Sequence, residues 1–184
     1  HYLVTGTSHS EAGFRERLSR ALGAGLRLVQ LRSPGAAAEE FRARARIAAS
    51  LCRDGGARLV INGEPLSASR LAVETGAHGV HLPSRYLPGL DRNALPPGLL
   101  CGVSCHDRPQ LDAAVAAGAD FAVLGPVLPT PSHPQAGGIG WRAFEAIIEG
   151  LPLPVFALGG VGPEHTEIAW NAGGQGVAGI SAFW

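Results

Sequence analysis

Methionine is absent from all 184 residues, cysteine occurs only three times, and neither charge sign is in excess. Each shortage excludes something. A chain that has no methionine and starts at His1, inside a run that reads as a strand, is expected to be a domain of a longer polypeptide. Cys52, Cys101 and Cys105 are an odd set, on segments that read as helix, strand and strand end. They read as reduced, mostly buried thiols of a cytoplasmic protein rather than a disulfide framework. A Cys101/Cys105 metal pair lacks the second pair that such a site needs. Fifteen basic residues balance fifteen acidic ones, which leaves no footprint for nucleic acid or a membrane surface. No run approaches the roughly 20 uninterrupted apolar residues of a membrane span, and the first residues do not read as a secretory leader.

What is abundant is apolar sequence in short runs. At 46% hydrophobic content, 184 residues suffice for one domain with a well-filled core. Strand candidates recur at 2–5, 28–31, 58–61, 79–82, 100–104, 121–124, 155–158 and 176–180. Between them, apolar residues at three- and four-residue spacing predict helices, most clearly over 11–24, 37–54, 108–117 and 141–149. Gly25, Gly56, Gly76, Gly118 and Gly173 stand just before strands, where helices end. Strands alternating with helices imply a parallel sheet with right-handed crossovers. Eight such strands predict a (β/α)8 barrel, here with the eighth helix missing because the chain stops at Trp184.

The stretch "FALGGVGPEH", residues 156–165, sharpens the reading. A greasy run meets Gly159, Gly160 and Gly162, then Pro163 and Glu164, which suit a helix start. Backbone N–H groups at such a turn have no internal partner and form an anion seat. In a (β/α)8 barrel, phosphate commonly sits after strands seven and eight. Gly159, Gly160 and Val161 follow the seventh strand candidate and Ser181 the eighth, so these four are the expected phosphate binders.

Eight motifs run in order: "YLVTG" at the start, "LVQLR" at 28–32, "VING" at 60–63, "GVHLPS" at 79–84, "GVSCH" at 102–106, "GPVLPTPSH" at 125–133, "ALGGV" at 157–161 and "GVAGISA" at 176–182. Together they resemble the thiamine phosphate synthase and thiazole tautomerase (TenI-like) superfamily over nearly the whole chain. The resemblance implies a (β/α)8 barrel acting on thiazole phosphate. The synthases join it to a pyrimidine diphosphate with Mg²⁺, releasing pyrophosphate and forming thiamine phosphate. The chain is also similar to the domain found C-terminal to MutT-type Nudix hydrolases, which makes an N-terminal Nudix domain an expected neighbour.

By the same resemblance, Gly160 and Ser181 match binders of the thiazole phosphate. Gln30, Arg32 and Asn62 match residues lining the pyrimidine diphosphate pocket, and Ser104 matches a substrate-contacting serine. The metal site does not carry over. The family's "IND" is "ING", with Gly63 in place of an aspartate, and its acidic "GQED"-type loop is "PSRY", with Arg85 and Tyr86. The lysine after "QLR" is Pro34, and that of the lid loop is His133. Mg²⁺ needs hard oxygen ligands, and Glu64 and Asp107 are the only acids in the loops after strands three and five. No Mg²⁺ site and no other cofactor are therefore expected, and Arg32 and Arg85 are left to meet the charge of a departing diphosphate.

The "NG" and "LPS" variants resemble the tautomerase branch, which moves a proton without metal; the histidine of its "GHVF"-like segment is replaced by Pro126. His133 and His106 are the candidate acid–base residues. His81 is a third possible acid–base group, but on its apolar strand it reads first as a hydrogen-bonded structural histidine. The spacing of the three fits no compact zinc motif. Residues 126–140, "PVLPTPSHPQAGGIG", exclude helix and central strand. At this length they read as a lid, with Thr130, Ser132 and His133 facing a bound phosphate, or as an exposed loop. Two functions stay open: an enzyme of thiazole or thiamine phosphate biosynthesis or salvage, or a non-catalytic domain holding a phosphorylated ligand beside an attached hydrolase. Pairing of barrels into a homodimer is compatible with both.

Overall fold

The computed structural model describes residues 1–8, 10–130 and 137–184. Eight parallel strands close into a barrel in sequence order, β1 (Tyr2–Val4), β2 (Leu28–Leu31), β3 (Arg58–Asn62), β4 (Gly79–Leu82), β5 (Leu100–Cys105), β6 (Phe121–Leu124), β7 (Val155–Leu158) and β8 (Gly176–Gly179). The ring closes through Tyr2 opposite Ala178, and Leu158 of β7 also lies opposite Ala178. Outside lie α1 (Glu11–Gly23), α2 (Ala38–Asp54), α3 (Pro65–Thr75), α4 (Arg108–Ala116), α5 (Trp141–Ile148) and α6 (Thr166–Asn171). The expected strands and the four clearest helices are present, with ends shifted by at most a residue or two.

Alternation along each strand sorts side chains into two cores. Outward residues such as Leu59, Ile61, Val80, Cys101 and Leu124 pack under the helices against Phe14, Leu18, Ala48, Leu111 and Phe144. Inward residues Tyr2, Val60, Phe121, Val123, Phe156 and Ala178 fill the lumen. Gly102 is glycine because a Cβ there would collide with the Phe121 ring and lie 2.8 Å from His81 Nδ1. Replacing the fully buried Phe144 by alanine would empty the space under α5 and cost roughly 3–5 kcal/mol.

Helix starts follow local capping. Ser10 accepts from Gly13 N–H, Asp107 from Gln110 N–H, and Glu64 from the N–H groups of Leu66 and Ser67. The connection after β4 contains only two short 3₁₀ turns, Ser84–Tyr86 and Arg92–Ala94. Pro88, Pro96 and Pro97 deny it the donors a helix needs. After β8 the described chain makes a turn, with Phe183 and Trp184 donating to the Ile180 carbonyl. No described helix is long and apolar enough to cross a membrane.

Candidate active site at the strand C-termini

The loops after β7 and β8 touch. A Cβ on Gly162 would lie 3.1 Å from Ala182 Cβ, and one on Gly179 3.4 Å from the Val161 carbonyl. Gly159 and Gly160 hold φ of +93° and +66°, left-handed backbone that side chains resist. A Cβ on Gly160 would also collide with the carbonyl of Pro129. Among the described residues, the backbone N–H groups of Gly160, Val161, Ser181 and Ala182 and the Ser181 hydroxyl have no hydrogen-bond partner. Ser181 is exposed. Four unused donors and a hydroxyl on two adjoining loops make an arrangement suited to an anion.

The base of the 126–140 segment is anchored to the same place. Val127 N–H donates to the Leu158 carbonyl and Leu128 N–H to that of Gly159, while Ile139 and Gly140 donate back to Pro126 and Val127. Thr130 follows directly, half-buried. The expected lid residues Ser132 and His133 lie outside the described residues.

On the opposite arc, β2 to β5 each carry a polar or small residue inward above the apolar layer of the lumen: Gln30, Asn62, His81 and Ser104. Asn62 Nδ2 donates to Gln30 Oε1, Gln30 Nε2 to the Tyr2 hydroxyl, and both bonds are 2.9 Å. The Tyr2 hydroxyl meets His81 Nδ1, and His81 Nε2 meets Ser104 Oγ, again at 2.9 Å each. Tyr2 and His81 are fully buried, whereas Asn62 and Ser104 are half-exposed at the mouth. Burial pushes the Tyr2 phenol far up and lowers His81 to about 3, so both stay neutral. Three of the expected substrate-binding residues, Gln30, Asn62 and Ser104, are thus joined in one hydrogen-bonded chain through two that the sequence did not single out together. The signal was their phase: each lies at an inward position of its strand.

Arg32 follows β2, its guanidinium exposed and, among the described residues, free of ion pairs. Its backbone is pinned by Thr5, whose Oγ1 accepts from Arg32 N–H at 2.9 Å and donates to Arg32 O at 2.8 Å. Arg85 lies over the Tyr86 ring, 4.7 Å from its centre. The chain contains no lysine, so arginine is its only permanently cationic side chain. Arg44 of α2 was missed by sequence reasoning: it donates to the Ser8 carbonyl and the Ser33 hydroxyl, tying the loops after β1 and β2 together. His106 is exposed after β5, and its Nδ1–H donates to the Gly125 carbonyl at 2.8 Å. In the neutral ring that leaves the Nε2 lone pair available as a base.

The acids that follow β3 and β5 are engaged locally, at helix starts. Glu64 turns to cap α3, where the Ser67 hydroxyl and two backbone N–H groups hold its carboxyl below the usual range. Asp107 likewise caps α4. No group of three metal-capable side chains occurs among the described residues. Cys52, Cys101 and Cys105 are buried and free, and burial raises their thiols to about 12, 11 and 12 respectively, so none is a ready thiolate.

A family described as thiamine monophosphate synthase matches residues 1–183. A Geobacter sulfurreducens protein, provisionally named a thiamine-phosphate synthase, is 41% identical over 187 residues, covering 99% of this chain and 85% of that protein. The thiamine-phosphate synthase of Thioalkalivibrio sulfidiphilus is 34% identical over 172 residues, covering 92% and 80%. Among solved structures, thiamine phosphate pyrophosphorylase from Pyrococcus furiosus superposes with a TM-score of 0.80 at 25% identity, covering 98% of this chain and 85% of that one.

Proposed function

The chain belongs to the thiamine monophosphate synthase family, and from that premise we propose that it binds thiazole phosphate across the loops after β7 and β8. The observation that carries this is the set of unused donors, the N–H groups of Gly160, Val161, Ser181 and Ala182 with the Ser181 hydroxyl. A phosphate dianion there gains charge-assisted hydrogen bonds, each worth about 1.5–3 kcal/mol. The thiazole ring then extends over the lumen toward the β2–β5 arc, which takes the second substrate, a pyrimidine diphosphate, at Gln30, Asn62 and Ser104.

Joining the two requires the thiazole nitrogen to bond the pyrimidine methylene carbon as the carbon–oxygen bond to diphosphate breaks. The electron pair leaves with diphosphate, whose growing charge needs cations. In this reading Arg32 and Arg85, which follow β2 and β4, supply them, and Ser104 donates a hydrogen bond. With Glu64 and Asp107 committed to helix caps, the reading assigns no step to a protein-held metal. The Nε2 of His106 serves proton movement on thiazole phosphate, the tautomerase-like half of the proposal.

The test supplies thiazole phosphate and the pyrimidine diphosphate to the purified chain, with Mg²⁺ or with chelator, and measures thiamine phosphate by fluorescence after oxidation. Slow formation, little changed by chelator, is expected. Fast, strictly Mg²⁺-dependent synthesis would overturn the metal-independent reading. Binding without turnover in either condition would favour the second reading, a phosphate-ligand-binding domain serving an attached Nudix hydrolase.

A further inference from the structure

The run from Asn62 through Gln30, Tyr2 and His81 to Ser104 has a direction that its donor inventory fixes. The Tyr2 oxygen already accepts from Gln30 Nε2, a nitrogen that can only donate. The phenol's own proton therefore goes to its other partner, His81 Nδ1. A neutral imidazole that accepts at Nδ1 carries its proton on Nε2, so the ring donates to Ser104 Oγ. Ser104 is then an acceptor on its inner side, and its single hydroxyl proton has no partner among the described residues. The alternation of β5 places it inward, half-exposed at the mouth.

We propose that Tyr2 and His81 are positioning residues that hold the Ser104 hydroxyl as an obligate donor toward the bound ligand. The same polarity works at the other end. Because Gln30 presents Oε1 to Asn62, the Asn62 amide must face it with nitrogen, leaving Oδ1 as an acceptor at the mouth. The mouth thus offers a donor from β5 and an acceptor from β3, set by a buried chain rather than by either residue alone. Such chains strengthen bond by bond and resist reversal, since flipping one member would set two donors or two acceptors face to face. An acceptor-only group, such as a phosphoryl oxygen, is what the Ser104 end recognises. The aromatic packing keeps the geometry: the Tyr2 ring lies 5.5 Å from Phe121 and 5.6 Å from Phe156, centre to centre. Its role in ligand binding rests on the functional reading above; the tautomer does not.

Two measurements test it. In the wild-type protein, long-range ¹⁵N–¹H NMR of the histidine rings, with the His81 signals assigned by their loss in His81→Gln, should show Nε2–H and a bare Nδ1. An Nδ1–H or mixed ring would overturn the assignment, and the tautomer itself is read on the wild-type protein. Inorganic diphosphate is the binding probe. Tyr2→Phe should weaken it about three- to tenfold, and that loss should vanish in a Ser104→Ala background, because the tyrosine acts through the serine. The same loss in both backgrounds would make Tyr2 merely structural and overturn the proposal. If the wild type binds no diphosphate, the ligand role falls with the functional reading, and the NMR result decides the lock by itself.

Discussion

Acidification from about pH 7 to about pH 4.5 is expected to weaken this fold through one residue, His81. In the folded chain the ring is fully buried with both nitrogens bonded, and burial lowers its pKa from 6.5 to about 3. In the unfolded chain it titrates near its ordinary value of about 6.5. Between those two values the unfolded state holds a proton that the folded state refuses. The stability is therefore fully present above pH 6.5 and falls as pH drops toward 3, by about 1.4 kcal/mol per unit. Two units below the unfolded value, at about pH 4.5, the loss is roughly 3 kcal/mol, a large share of the 5–15 kcal/mol typical of a domain. The assay is urea unfolding of the wild type and His81→Gln over this pH range. Glutamine does not titrate, and the carboxylates common to both proteins cancel in the difference. The stability gap between the two proteins should shrink by roughly 3 kcal/mol from pH 7 to pH 4.5. A gap that stays constant would mean that His81 titrates alike in both states, and the buried neutral ring would be refuted.

Three further outcomes are expected. Gly160→Ala should destabilise the fold by about 1–3 kcal/mol in thermal unfolding, since the backbone there is left-handed and the methyl meets Pro129, and should weaken thiazole phosphate binding at least about tenfold. Asp107→Ala should cost roughly 1 kcal/mol of stability by urea unfolding, as expected for a lost N-cap, while leaving the metal response of the synthase assay unchanged. His106→Gln should slow proton exchange between bound thiazole phosphate and solvent by about 10²- to 10⁴-fold, read by deuterium incorporation, with little change in affinity.

The barrel was legible because its two periodicities are local. Short runs such as 121–124 and 155–158 stand between helical spacings, and residues such as Gly76 mark where helices stop; it does so at φ +71°. The glycine turn at Gly159 and Gly160 beside the loop of Ser181 was legible for the same reason, its place after the seventh strand of the barrel. The Tyr2–His81 link was not. Its partners lie 79 residues apart, and only the closed barrel brings their rings together. Read one strand at a time, both sit in apolar runs and look like core. The helical commitments of Glu64 and Asp107 were equally unread, because the cap bonds that hold the two carboxylates show only in the folded loops. The expectation for His133 falls on residues outside those described.

The central claim is that the loops after β7 and β8 recognise a phosphate. Calorimetric titration of the purified chain with thiazole phosphate and with the corresponding unphosphorylated thiazole alcohol, both in the presence of chelator, tests it most directly. The account predicts measurable binding of the phosphate, at least about a hundredfold tighter than the alcohol, since two or more charge-assisted hydrogen bonds are at stake. Equal affinity for the two compounds, or binding of the phosphate that disappears with chelator, would contradict it.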